Sequence, residues 1–330
     1  FSSRNPIQGA VGDDASYDLA GIFVQDTIDL SERWNFSLGG RFTYAGANAD
    51  KVEDPVSGNQ VSVDRDWGNA VGNARLVYKV KPDTWNIFGG IAQGFRAPNL
   101  TDLTSQIDTG ANEQEIPAIS LEPEKYLTYE IGTRVNYQRF SAELAGFYTD
   151  VNDMINRFPT GVVTADGKTE VGKANVGDGF VTGIEYGMAY EIHPEWTLFG
   201  NATYMDGEMD VMTGPGPVAS AEYLSRGMPS SGQVGLRWMS EQRRFWAQIR
   251  GVLSATADHL SSRDRRDTER IPPGGTPGYE RIDLKVGWNI HTNLTLTGAI
   301  DNMTNQNHRV HGSGTNAPGR NFIAALESRF

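Results

Sequence analysis

Four groups of side chains have the types and spacing to do chemistry. Arg96, Asn99 and Asp102 follow one another across Gly94–Leu100 and just beyond, where they could line the mouth of a ligand site. The plainer reading has Pro98 ending a strand, Asn99 and Asp102 making turn hydrogen bonds, and Arg96 pairing with a nearby carboxylate. Arg263, Arg265 and Arg266 open a mixed-charge run that ends at Arg270 and could grip an anion, or could be a solvated loop held by its own ion pairs. His308 and His311 flank Arg309 and Val310; neutral imidazoles bind zinc or haem iron, but no third ligand accompanies them and glycines follow. His259, with Asp258 and Asp264, is the nearest approach to a catalytic set, and nothing marks a nucleophile for it. There is no Gly-x-Ser-x-Gly, no His-Glu-x-x-His and no phosphate loop. The expectation is a binding or transport protein, with no catalytic residues, no resident metal and no cofactor.

These groups fall on polar stretches between long strands. Tight turns read Leu30–Trp34, Val80–Thr84, Tyr137–Arg139, Ile192–Trp196, Met239–Arg243 and Ile290–Asn293. Long loops are expected near 49–66, 96–123, 151–174, 206–229, 255–278 and 304–319. Strict alternation of short and long connections suits a transmembrane barrel, with short turns at one rim and long loops at the other. A soluble β-sandwich is the competing architecture, and strands this long fit it poorly.

Composition agrees. The 330 residues carry a net charge of -12, which argues against a nucleic-acid groove. Mean hydropathy is only -0.45, and no stretch approaches the roughly 18 apolar residues of a membrane helix. Barrel strands alternate, so a low average is compatible with lipid contact. The absence of cysteine excludes disulfides and thiolate metal sites.

Two strands show the alternation plainly. Trp34, Phe36, Leu38, Phe42 and Tyr44 oppose Asn35, Ser37, Arg41 and Thr43. Ile282, Leu284, Val286, Trp288 and Ile290 oppose Arg281, Asp283, Lys285 and Asn289. A face with that many charges must be wet, so the apolar face meets lipid. Inward Arg41, Glu130, Arg134, Arg281, Asp283 and Lys285 are expected to form networks on the inner wall. Every tryptophan except Trp67 lies near a tight turn, which reads as an interfacial aromatic girdle. Thirteen strands are expected, at 17–30, 34–48, 67–80, 84–95, 124–137, 139–151, 174–192, 196–206, 230–239, 244–255, 279–290, 293–303 and 319–330.

Gly94–Leu100, then Leu121–Glu124 and Tyr129–Gly132, with Gly21–Asp26, Asp301–Asn305, Pro318–Phe322 and the terminal Phe330, resemble in order and spacing the barrel motifs of TonB-dependent outer-membrane receptors. That resemblance implies an all-β, transmembrane antiparallel barrel of about 22 strands, with residues 1–330 as its carboxyl-terminal portion. The plug domain, the TonB box and the first strands would lie outside this chain, in a longer protein or a companion chain. It also implies a Gram-negative-type outer membrane, contact with its lipid and lipopolysaccharide, TonB-coupled energy through the plug, and Phe330 as a barrel-insertion signal. The expected cargo is a scarce ligand, foremost a ferric siderophore. A passive porin-like channel, a haem, cobalamin or oligosaccharide receptor, and an adhesive barrel stay open beside it. No histidine occurs in 99–123, where haem receptors of the family carry one.

Overall fold

The computed structural model describes residues 11–53, 58–106, 108–109, 113–215 and 219–329. The strands are β1 (Asp13–Asp29), β2 (Trp34–Glu53), β3 (Gln60–Lys81), β4 (Trp85–Arg96), β5 (Asp108–Thr109), β6 (Glu113–Glu115), β7 (Glu124–Tyr137), β8 (Phe140–Val163), β9 (Thr169–His193), β10 (Trp196–Met212), β11 (Ala219–Tyr223), β12 (Ser231–Met239), β13 (Phe245–Ser254), β14 (Tyr279–His291), β15 (Leu294–Asp301) and β16 (Asn321–Ser328). Two one-turn helices, α1 (Leu100–Thr104) and α2 (Ser262–Arg266), sit in loops. Thirteen strands form one antiparallel wall in the order β1-β2-β3-β4-β7-β8-β9-β10-β12-β13-β14-β15-β16. Strands β5, β6 and β11 pair off this path, and β6 lies parallel to β9. Among the described residues β1 and β16 do not meet, so the sheet is open. Phe330 lies outside the described residues.

The wall strands agree with the sequence in number and order, but three expected loops are largely strand. Strands β2 and β3 stay paired out to Glu53 and Gln60, β8 and β9 to Val163 and Thr169, and β10 runs to Met212 with β11 beside it. Beyond the bilayer both faces of a ribbon are wet, so the apolar alternation fades while the backbone ladder continues. The β8–β9 hairpin closes through Thr164, whose amide donates to the Lys168 carbonyl at 2.9 Å, with Gly167 at φ 84°.

Register fixes the two faces. Pairs such as Phe42–Ala70, Ile249–Leu284 and Leu296–Leu326 stand on the apolar side. Pairs such as Arg134–Glu143 and Arg250–Asp283 stand on the polar side. Trp34, Trp85, Trp196 and Trp288 lie on the apolar face beside the tight turns, each about two-fifths exposed. Trp238 joins them, its indole N–H donating to Glu195 at 3.0 Å. The girdle expected from sequence loses one member: Trp246 pairs with Gly287 on the polar face and lies under the Arg237 guanidinium at 5.4 Å. Its neighbour Phe245 occupies the apolar face instead, because adjacent strand residues point oppositely. Trp67 is also inward and only 5% exposed.

Trp246 illustrates a repeated device. Phe88 faces Gly132, Phe147 faces Gly183, Phe199 faces Gly235 and Trp246 faces Gly287, all on the polar side of neighbouring strands. A Cβ at any of these glycines would collide with the aromatic ring. The rings cover backbone that lacks a side chain, as aromatic rescue of strand glycine requires.

The wall has a small apolar core at its loop end. Ala45, Ala47 and Ala49 of β2 present methyl groups on the polar side, with Val63 and Trp67 of β3 beside them. Leu103 of α1 and Leu121 pack onto this floor, both at most 1% exposed. The described parts of the 97–123 segment therefore fold inward across β2 and β3 instead of standing in solvent. Alanines suit the floor because a larger side chain would hold α1 away.

Two measurements test this arrangement. Spin labels at Leu284 and at Lys285 in a reconstituted bilayer should report oxygen-rich lipid and aqueous relaxant respectively; matching aqueous signals would overturn the assignment of faces. Gly132→Val should destabilise the barrel by about 1–3 kcal/mol through overpacking against Phe88, read as a lower midpoint in denaturant.

Candidate functional site

The inward-folded segment begins at Arg96. Its guanidinium binds Glu124 twice, at 2.7 and 2.6 Å, and Asp102 once at 2.6 Å. Glu124 also accepts the Ile155 amide at 2.9 Å and the Tyr126 hydroxyl. Asn99 and Asp102 form the capping box of α1: the Asn99 side chain accepts the Asp102 amide, and the Asp102 carboxylate accepts the Asn99 amide. These three sequence candidates are thus brought together around a buried carboxylate.

Further along, Glu115 is fully buried and receives Arg157 at 3.1 and 2.9 Å, Lys173 at 2.7 Å and the Ser105 hydroxyl at 3.0 Å. Lys173 in addition donates to the Thr101 carbonyl at 2.8 Å. Glu115 lies on β6, whose parallel pairing with β9 brings it to these cations. The segment is therefore anchored at one side on β2 and β3 and at the other on β8 and β9.

Three more loops lock together opposite. Asp264 is 2% exposed and caps α2 with Ser261; it also accepts the Ser225 hydroxyl at 2.9 Å and the Arg226 amide at 3.1 Å. The Ser262 amide donates to Glu222 at 2.6 Å. Asp267 receives Arg226 at 2.9 Å and Arg270 at 3.2 Å. Burial alone would raise the Asp267 carboxyl, but hydrogen bonds from Arg226 and then Arg270 hold it below its usual range.

His308 and His311 both lie buried among these loops. The His311 Nδ1 is 2.9 Å from the Thr276 hydroxyl, and His308 packs on the Tyr279 ring with Nδ1 donating to the Gln306 carbonyl at 3.2 Å. Burial lowers the His311 pKa. Arg309 binds Asn316 at 3.0 Å, and Arg265 donates to the Leu260 carbonyl at 2.6 Å. His259 stacks on Tyr223 at 4.6 Å, while Asp264 serves the α2 cap. Among the described residues no group of three or more His, Asp or Glu side chains could hold a metal ion.

On the inner wall, Arg134 forks onto Glu143 at 2.9 and 3.0 Å. Buried Asp283 takes Arg250 at 2.9 Å, Arg281 at 3.5 Å and the Asn302 amide at 2.9 Å, tying the last loop to β14. Arg41 donates to Thr43 at 2.9 Å.

Between the two locked sets of loops lies a cavity of about 260 Å³, bounded by the outer parts of β8 and β10, the 222–226 segment and α2. Arg157, Arg226, Arg263 and Arg266 line it, with Glu113 and Glu222 as its carboxylates. Burial, and after it the charges of Arg157 and Arg226, depress the Arg263 pKa, against the opposing charges of Glu113 and Asp264. Of the sequence candidates, only Arg263 and Arg266 reach this cavity. Arg157, Arg226 and Glu115 carried no sequence signal, since their charged partners lie 38 or more residues away.

The family model for the TonB dependent receptor-like β-barrel matches residues 1–303. The chain belongs to the TonB-dependent receptor family. It is 24% identical over 327 residues to the iron-regulated outer membrane virulence protein of Vibrio cholerae serotype O1, covering 93% of this chain and 44% of the relative. It is 22% identical over 332 residues to the probable TonB-dependent siderophore receptor PiuA of Acinetobacter baumannii, covering 96% of this chain and 41% of that protein. The chain thus spans less than half the length of either relative. The solved structure of the copper transporter OprC superposes with a TM-score of 0.77 at 17% identity, over 96% of this chain and 49% of that one, and shows the shared fold. The matched residues run from β1 through β15, so every wall strand but the last falls within the family model.

Asp264→Ala should leave the Ser225 hydroxyl and the Arg226 amide unsatisfied at about 1–3 kcal/mol, read as faster proteolysis within 255–278. Because His311 is held neutral, its share of loop anchoring is complete above the unfolded imidazole value near 6.5 and declines as pH falls towards its lower folded value. Hydrogen exchange around Thr276 should therefore show an added opening between pH 7.5 and 5.5 that His311→Gln lacks.

Proposed function

We propose that the protein carrying this chain is an outer-membrane receptor that imports a scarce iron chelate, foremost a ferric siderophore, with TonB-coupled energy. One observation carries the reading: the loops at one end are not a fringe but a rigid cup, pinned over the polar face by the buried carboxylates Glu115, Glu124, Asp264 and Asp283. Rigid, prepaid geometry suits capture of a dilute ligand, since less ordering remains for binding to supply. A passive channel gains nothing from it. The names of the iron-regulated and siderophore-receptor relatives support iron as the cargo. On this reading the loop end faces outward, the tryptophan-rich turn end faces the periplasm, and a plug and further strands complete the barrel.

Uptake of radioactive iron from a chelate should vanish when the gene is deleted and also when the proton gradient is collapsed in cells that retain the protein. Uptake that persists without the gradient would identify a passive channel and defeat the proposal.

A further inference from the structure

A second hollow, of about 150 Å³, lies beside Tyr204–Gly207, where the wall ladder opens. On one edge β10 pairs with β12 as far as Thr203 and with β11 only from Glu208, so these four residues have no neighbouring strand there. The 224–230 and 255–259 segments frame the gap. The Leu224 amide donates to the Gly207 carbonyl at 2.9 Å, and the Ala255 amide donates to the Ser230 carbonyl at 2.8 Å. Ala257 and Thr276 exchange backbone bonds at 2.9 and 3.0 Å, so the frame is braced from behind. Tyr204 and Asp206 share the parity of Trp196 and Leu198, and Tyr223 stands opposite Glu208 on that face, so the hollow opens outward. Its rings are those of Tyr204, Tyr223 and His259, the last two stacked 4.6 Å apart, with Met228 beside them. Tyr204, Tyr223 and Met228 are each two-fifths to one-half exposed, so nothing in the chain covers them. Two carboxylates complete the lining. Asp206 accepts only the Gly207 amide, at 2.9 Å, and no described residue donates to Asp258. No lysine or arginine lines the hollow, and the Arg226 guanidinium, close by in sequence, is bound to Asp267.

We propose that this hollow binds an organic ammonium group, its positive head against the rings of Tyr204, Tyr223 and His259 and beside the carboxylates of Asp206 and Asp258. Aromatic faces carry negative potential and recognise substituted ammonium ions in this way. The two unpaired carboxylates fix the sign, since they repel an anion and offer a neutral apolar guest nothing. A bare metal ion finds no donor set, because no group of three or more described His, Asp or Glu side chains could hold one. At about 150 Å³ the hollow falls below the ~300 Å³ at which pockets for whole drug-sized molecules begin, so it suits a headgroup. Tyr204 ends the apolar strip of β10, where a lipid headgroup and a dissolved cation both have access; the test separates these sources. The site is independent of the transport reading above.

The test uses the intact receptor in an uncharged maltoside detergent and two probes of one shape. One is choline; the other is 3,3-dimethylbutan-1-ol, in which carbon replaces the nitrogen and the charge is gone. Saturation-transfer NMR on the methyl protons should show choline bound and the alcohol bound about tenfold more weakly. Asp206→Asn with Asp258→Asn keeps both side-chain shapes and should weaken choline binding by about tenfold. Tyr223→Leu should weaken it similarly, whereas Tyr223→Phe, which keeps the ring, should not. Heat-modifiable gel mobility verifies that each variant barrel is folded. No choline signal from the unmodified receptor, equal binding of the two probes, or unchanged choline binding after both aspartate substitutions overturns the site. In nanodiscs, choline binding that persists in phosphatidylglycerol but is lost in phosphatidylcholine assigns the site to a lipid headgroup. Binding kept in both lipids assigns it to a dissolved cation, and either result supports the site.

Discussion

Hydrocarbon offers no partner for a backbone amide or carbonyl, so a chain that crosses it by strands must satisfy each one on a neighbouring strand. Everything else in this molecule follows from that demand. It imposes the antiparallel ladder from β1 to β16, and the ladder imposes a two-residue alternation between lipid and water. The polar set on the water side then finds itself in a confined space, where Arg134 with Glu143 and Arg250 with Asp283 pair across adjacent strands. Above the bilayer the same ladder continues without the solvent constraint, which is how β8 and β9 reach far enough to hold loop carboxylates.

Those loop carboxylates follow one design. Glu115, Glu124, Asp264 and Asp283 are each almost wholly buried; each accepts from a backbone amide or a hydroxyl, and all but Asp264 from a cationic side chain as well. A buried charge survives only when its oxygens are fully engaged, and once engaged it fixes every donor around it. Between the described parts of 97–123 on one side and the 222–226, α2 and 304–319 segments on the other, the result is a cup with few ways to relax. Arg157 belongs to both parts, anchoring Glu115 while facing the cavity.

The wall was legible in the sequence because its signals are local. Period-two patterning, turn residues and tryptophan placement each act within a few residues, and they located thirteen strands. Where the pattern stopped at the water boundary, reading it as loop was the natural error, and β2, β3, β8, β9 and β10 all outran it. Trp246 misled for a related reason: nearness to a turn says nothing about side, and its parity puts it on Gly287. The cup was far less legible. Arg263 and Arg266 stood out as a charge run, but the run could not show that Asp264, inside it, would turn inward as a cap. Nor could it show that Arg157 would arrive from a distant hairpin, since such pairings depend on the completed fold.

The aromatic–glycine pairs on the inner wall carry a consequence for assembly. A strand slipping by two residues keeps its faces but would set Phe88 against Glu130 or Arg134, Phe147 against Val181 or Glu185, Phe199 against Gln233 or Arg237, and Trp246 against Lys285 or Asn289. None of those leaves room for a flat ring. Four strand pairs spread along the wall thus each check their own alignment as they zip, so a mis-threaded intermediate meets a steric veto long before the cup above it can form.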